Sequence, residues 1–393
     1  MVETADVVII GGGVMGASIA FHLAKLGTGK IVVLEKSGLA AGATGHAAGL
    51  IRHHYSNRLL VELALYSRRK LESFEEEMGE PINFVQNGLL LLVGEEDRRA
   101  AEENAAMQRS VGVELDIIEP AELKEFLPVG LLDTNGVGIG IFDKKAGYAD
   151  PYAVTVGYAK RAKDFGVRFC TGVLVEGIEI EKNRIAGVIT DHGKIATRLV
   201  VNAAGPWGKR VNDLIHIQVP VKIMSLQHGL LLPDCFYHRM IPTVIDNSIK
   251  DNLFFIKPES GGTILLGMDK EDPAKEINPD NYSFNPDMDT LCALIEKVVQ
   301  RLPFLSEARL QTVFGGSDGV TPDWNPAIGR PAGPEGYFCA IGFSGHGFKL
   351  APAIGEIVAQ LVRDEKPSFD ISMLDINRFA EGKMFNSQHN VLA

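Results

Sequence analysis

The stretch "DVVIIGGGVMGASIAFHLAKLGTGKIVVLEK", residues 6–36, decides the fold. Val7–Ile10 is a short continuous apolar run, Gly11–Gly13 a turn, and the apolar spacing from Val14 towards Gly27 is helical. Ile31–Glu35 is a second apolar run. Strand, glycine turn, helix and strand in that order form a βαβ unit with parallel strands. Gly11, Gly13 and Gly16 follow the strand, open the helix and precede Glu35, which meets the context test of a dinucleotide fingerprint. The glycines let backbone approach a pyrophosphate at a helix N-terminus, and Glu35 can accept hydrogen bonds from ribose hydroxyls. Gly11, Gly13, Val14, Met15, Gly16, Glu35 and Lys36 are the candidate cofactor residues of this unit; a tight turn without ligand is the bland alternative.

NAD and FAD share this fingerprint. No second strand-linked copy exists, since "GVGIGIF" at 136–142 has the wrong spacing. A single dinucleotide must then carry the redox chemistry. The segment after Glu35, "KSGLAAGATGHAAGLIRHHY" at 36–55, is dominated by small residues that let a bulky cofactor lie against backbone, which favours FAD. A flexible glycine loop is the alternative.

Further along, a helix is expected from about Asn57 to Met78, with Leu60, Leu63, Leu71, Phe74 and Met78 facing inward and Gly79 closing it. Its charged run, "SRRKLESFEEEMGE" at 67–80, reads as a solvated face. Asp150 should cap another helix, with Pro151 at its first position and Gly166 past its end. "RLVVNAAGPW" at 198–207 reads as a strand ending in small residues, whereas 216–325 turns to β-branched and aromatic runs typical of an antiparallel sheet. The expected fold class is α/β, with a Rossmann-like dinucleotide-binding domain interleaved with an α+β substrate domain built on an antiparallel sheet. The expected boundaries are 1–85, 145–215 and 325–393 for the first and 86–144 and 216–324 for the second.

Of 393 residues, 46% are hydrophobic and 23% charged, as in an ordinary globular protein, and the net charge is −11. That charge disfavours nucleic acid as a partner, which calls for clustered Lys and Arg. Cys170, Cys235, Cys292 and Cys339 are dispersed without zinc-type pairing, so no metal is expected and a reducing cytoplasm is. "MVETADVVII" lacks a basic leader region, and no 18-residue apolar run suggests a membrane span.

One local oddity remains. In "SGHGFKLAPAIG" at 344–355, Lys349 falls in the first turn of an expected helix, the positive end of the dipole, where an acidic residue is favoured. A bound anion would offset the mismatch; a lysine extending to the surface is the alternative.

"VVIIGGGVMGASIAFHLAK", "LEKSGLAAGATGHAAGLIR", "VVNAAGPW" and "GFSGHGFKLAPAIGEIVAQL" together resemble the D-amino-acid oxidase superfamily of FAD enzymes, nearest its sarcosine oxidase, glycine oxidase and dimethylglycine dehydrogenase branch. The resemblance runs through nearly the whole chain in order. It implies one FAD per chain, with Ala43, Thr44, Gly49, Leu50, Val175, Ala204, Gly205 and Trp207 beside it. Gly345, His346, Gly347 and Phe348 would lie at the flavin's pyrimidine edge, with Lys349 also beside the cofactor, and the FAD-binding domain would be of the glutathione-reductase type. It further implies that Arg52 and Lys349 grip a substrate carboxylate, with His346 beside them as a catalytic candidate. Lys257 stands in a segment where some relatives carry a carboxylate-binding arginine, and the change to a point charge weakens that transfer. "HAAGL" matches the segment where dehydrogenases of this branch join a histidine covalently to flavin. Gly45 replaces their usual preceding tryptophan, so covalent attachment and simple packing both stay open for His46. The activity implied is oxidation of a small secondary amine or amino acid, such as sarcosine, glycine or proline, by hydride transfer to flavin. The resulting imine then hydrolyses. Two alternatives stand beside it: an FAD-binding subunit that needs a partner chain or separate electron acceptor, and an NAD-linked dehydrogenase.

Overall fold

The computed structural model describes residues 3–126, 131–234, 241–249, 253–268, 276–281 and 287–385. Cys235 lies outside them. A six-stranded sheet carries the fingerprint. Its strands run in the order Ala327–Gly329, Tyr337–Ile341, Leu199–Asn202, Val7–Ile10, Ile31–Glu35 and Arg168–Thr171. All neighbours pair in parallel except the first two, which are antiparallel. Its central strands are continuous apolar runs because both faces are covered.

Helices Val14–Lys25, Pro151–Asp164 and Gly347–Val362 pack on this sheet and each other. The first and last approach unusually closely: a Cβ on Gly355 would stand 2.1 Å from Ser18 Oγ, and that hydroxyl donates to the Ala351 carbonyl at 2.8 Å. Asp150 caps its helix as its side-chain type demands, accepting from the Tyr152 and Ala153 amides at 2.8 and 3.2 Å. Gly166 follows with φ 88°.

The expected 57–78 helix is two helices. Arg58–Glu72, capped by Asn57, ends at Ser73, and Phe74–Met78 continues to a left-handed Gly79. At the break the Ser73 hydroxyl donates to the Arg69 carbonyl at 3.3 Å, the local competition that makes serine a poor helix interior residue. The five apolar residues assigned inward are all buried.

The second large sheet has eight strands, in the order Arg309–Val320, Lys222–Leu232, Ile264–Met268, Phe254–Pro258, Thr243–Asn247, Leu89–Val93, Ile139–Asp143 and Leu115–Ile118. It is antiparallel except where Leu89–Val93 and Thr243–Asn247 run parallel. That pair joins chain segments too distant for a hairpin. Among the described residues no helix is long and apolar enough to cross a membrane.

Candidate active site

Beyond the carboxyl ends of Val7–Ile10 and Ile31–Glu35 lies a cleft of about 880 Å³, towards the upper end of the roughly 300–1,000 Å³ typical of cofactor sites. Gly11, Gly13, Val14 and Met15 line it, as do Glu35, Lys36, Ala43, Thr44, Gly49 and Leu50. Val175, Ala204, Gly205 and Trp207 line one wall, and Gly345, Gly347, Phe348, Lys349 and Arg52 converge from the other end. Four of the expected residues, Gly16, His46, His346 and Lys257, do not line it.

The glycine turn shows three different reasons for glycine. Gly11 has φ +114°, and a Cβ there would meet the Ala203 carbonyl at 2.4 Å. A Cβ on Gly16 would stand 2.0 Å from the Gly11 carbonyl, so it serves the turn's own packing. Gly13 is different. It has φ −76° and ψ −179°, open to any residue, and a Cβ would meet only Thr44 Oγ1, at 3.0 Å. Its missing side chain keeps the cleft clear where the helix begins. Glu35 accepts from the Gly12 amide at 2.7 Å and the Ser37 amide at 2.8 Å. At the rim, Asp280 gathers Lys36 and the Trp207 indole at 2.7 and 2.6 Å and also pairs with Arg210, while the Lys36 ammonium lies 3.8 Å from the Trp207 ring centre.

At the other end Arg52 and Lys349 are only 4% and 5% exposed, yet both face the cleft. Arg52 donates to the His54 carbonyl, and Lys349 donates to the Gly345 carbonyl at 3.2 Å. The turn before Lys349 is strongly bent, with positive φ at Gly342, Ser344 and Gly345. Asp318 reaches this turn from the second sheet, accepting from the Gly345 amide and from Gly319 at 2.8 Å, and lines the cleft.

The fold has counterparts among known proteins. Residues 6–361 match the DAO family model, described as FAD dependent oxidoreductase. The chain belongs to the DAO family of FAD-dependent oxidoreductases. It is similar to the solved L-proline dehydrogenase from P. horikoshii, at 32% identity and a TM-score of 0.88, covering 98% of this chain and 100% of that one. It is also similar to mitochondrial dimethylglycine dehydrogenase of Rattus norvegicus, 29% identical over 98% of this chain and 46% of that protein. Mitochondrial sarcosine dehydrogenase of Mus musculus is 28% identical over 96% of this chain and 42% of that protein. The chain thus spans less than half the length of these two curated relatives.

The residues present fit the family's FAD. The cleft is cofactor-sized, small residues between Ala41 and Gly49 line it beside the glycine turn, the Gly13 cradle is one a Cβ would narrow, and helix Val14–Lys25 points its N-terminus at it.

Behind this DAO-family cleft lies a wholly buried group that the sequence does not announce. Asp143 accepts from His53 Nδ1 at 2.7 Å, from the His53 amide at 3.2 Å and from the Lys145 and Ala146 amides at 3.2 and 3.1 Å. Burial pushes the Asp143 carboxyl up, but His53's charge and hydrogen bonds, with His54, hold it below the usual carboxylate range. His54, 4.0 Å from Asp143, is lowered to about 4, chiefly by burial. Its folded value lies below its unfolded one, so stability is full above about pH 6.5 and falls as the unfolded chain takes up the proton down to about pH 4. Between pH 7 and pH 5 this should remove roughly 2 kcal/mol of unfolding free energy. Denaturant titrations should show that His54→Leu loses about that much less than the parent chain over the same interval; equal losses would exclude His54 as the source.

Tyr55, Asp318 and Asp143 escape sequence reading. "RHHY" at 52–55 is the one local hint, a basic pair of histidines ending in an aromatic. Lys257 sits under the cleft: its ammonium donates to the Ala48 carbonyl at 2.6 Å, pairs with Glu259 at 2.8 Å and lies 4.6 Å from the Tyr148 ring centre. His46 is half-buried against Gly316, and its Nδ1 is 3.0 Å from the Gly42 carbonyl.

Proposed function

We propose that this chain oxidises a small amino acid or secondary amine carrying a carboxylate, of the sarcosine, glycine, proline or N-methyl amino acid type, using FAD held in the cleft. The carrying observation is that Arg52 and Lys349, two nine-tenths-buried cations from distant segments, face one cofactor-sized cleft. Two cations converging on one cleft match the two oxygens of a substrate carboxylate. Bound FAD supplies acceptance of a hydride from the carbon next to nitrogen.

The protein's own contribution is mostly orientation. Arg52 and Lys349 anchor the acid group, which fixes the neighbouring C–H, and apolar Phe343 and Phe348 exclude water beside it. No side-chain base is required when the amine arrives unprotonated; the product imine hydrolyses in water. Gly13 and the N–H group of Met15 serve the pyrophosphate, Thr44 holds the Val14 amide at 3.1 Å, and Glu35 serves the ribose. Lys257 serves as a support for the 48–49 backbone, since its ammonium is already engaged. We assign the cofactor domain to 1–85, 145–215 and 325–393 and the substrate domain to the rest, because the six-stranded sheet draws only on the first set and the eight-stranded sheet only on the second. A cytoplasmic location rests on the cysteine pattern.

A carbonyl only accepts, so the contact with Gly42 puts a proton on His46 Nδ1, and Nε2 is the ring nitrogen turned to other contacts. That nitrogen serves as a packing partner of flavin or as its attachment atom. The purified protein should be yellow, and its colour should bleach anaerobically with at least one member of a panel of N-methyl and cyclic amino acids. No bleaching by any of them would overturn the reading. Readmitting air separates an oxidase, which regains colour at once, from an enzyme that needs another acceptor or partner chain. Acid precipitation decides the role of His46: attachment leaves colour in the pellet and His46→Ala releases it, while packing frees it from both.

A further inference from the structure

We infer that Tyr55 is a positioning residue that holds Arg52 and Lys349 together on one aromatic ring, so that two like charges stay preformed as a carboxylate site. This rests on the clamp reading above and deepens it. The Arg52 guanidinium carbon is 4.8 Å from the Tyr55 ring centre and the Lys349 ammonium 5.9 Å. Both are within the roughly 6 Å over which a ring quadrupole attracts a cation. The ring is 2% exposed and does not line the cleft, so it stands behind the cations and not among the groups a substrate would touch.

Arg52 and Lys349 arrive from segments about 300 residues apart, and in a poorly solvated site they repel each other. Long side chains also lose rotamer freedom when fixed. A shared aromatic face offsets both effects, attracting each cation and restricting its rotamers before substrate arrives. The ring is itself tied down. Its hydroxyl lies 3.3 Å from His346 Nδ1, the two rings meet edge to face with centres 5.2 Å apart, and Gln108 donates to the Tyr55 carbonyl at 2.8 Å. Burial, with Lys349 and Arg52 nearby, holds the His346 imidazole well below its ordinary pKa, so it adds no third charge.

The test compares 2-furoate, a carboxylate with no amine to oxidise, with its neutral amide 2-furamide, each titrated into the yellow holoenzyme by flavin absorbance. Tyr55→Leu should weaken 2-furoate at least tenfold relative to 2-furamide, whereas Tyr55→Phe, which keeps the ring face, should stay within about threefold of the parent. Should the leucine variant lose FAD, Tyr55→Met substitutes for it, an unbranched side chain that fills irregular gaps without a ring. The inference is overturned if the leucine and phenylalanine variants behave alike, or if furoate and furamide weaken together, as a merely structural role predicts. Arg52→Ala in parallel separates the two levels. If furoate binding ignores Arg52→Ala, the clamp itself fails; if it responds to Arg52→Ala but not to Tyr55→Leu, only the tyrosine's role falls.

Discussion

Arg52→Ala and Lys349→Met should each leave FAD content unchanged and lower kcat/KM for the best carboxylate substrate about 10²–10³-fold. The magnitude follows from the roughly 2–5 kcal/mol lost when one partner of a buried charge pair is removed. Each cation is nine-tenths buried, so its bond to a carboxylate is little screened by water. Methionine keeps most of the lysine stem's volume and removes only the charge. Alanine leaves a gap beside Tyr55, where the guanidinium had been stacked. The double variant should lose less than the product of the two single effects, because both cations share one ring and one anion. Anaerobic stopped-flow reduction measures the three variants directly. The clamp is wrong if reduction rate and substrate affinity match the parent in both singles. It is incomplete if the losses multiply, since the two cations would then act independently.

What could be read ahead of the structure was local in sequence. Gly11, Gly13, Gly16 and Glu35 lie within 25 residues, and their meaning follows from strand, turn and helix order alone. Asp150 and Gly166 bound their helix by the same short-range rules. Arg52 and Lys349 could be paired only through the family resemblance, since nothing in their spacing brings distant segments together. Tyr55 and Asp318 were illegible for the same reason: each meets a residue from a distant segment, Lys349 in one case and Gly345 in the other. Lys257 was reachable only through the resemblance, and its contacts with Glu259 two residues on and with the Ala48 carbonyl depend on how distant segments meet. The parallel pair within the second sheet also lay beyond periodicity, which distinguishes strand from helix but not one partner strand from another.

Gly13→Val should fold normally and lose FAD affinity by at least two orders of magnitude, on the order of 3 kcal/mol. The reason lies in the contrast among the fingerprint glycines. At Gly11 any side chain is strained by φ +114° and meets the Ala203 carbonyl, and at Gly16 it meets the Gly11 carbonyl, so substitution there breaks the turn whether or not a cofactor binds. Gly13 has ordinary extended dihedrals, and its Cβ would press only on the Thr44 hydroxyl by a few tenths of an ångström. The one protein group a valine would displace is the Thr44 hydroxyl, which accepts from the Val14 amide at 3.1 Å, so the larger expected cost is to whatever approaches this backbone from the cleft. Thermal unfolding of the apoprotein should therefore be nearly unchanged for Gly13→Val and strongly lowered for Gly16→Val. FAD titration should show the loss in Gly13→Val even though its apoprotein is intact. If Gly13→Val binds FAD as well as the parent, the pyrophosphate does not rest on this turn, and the dinucleotide reading of residues 6–36 loses its physical basis.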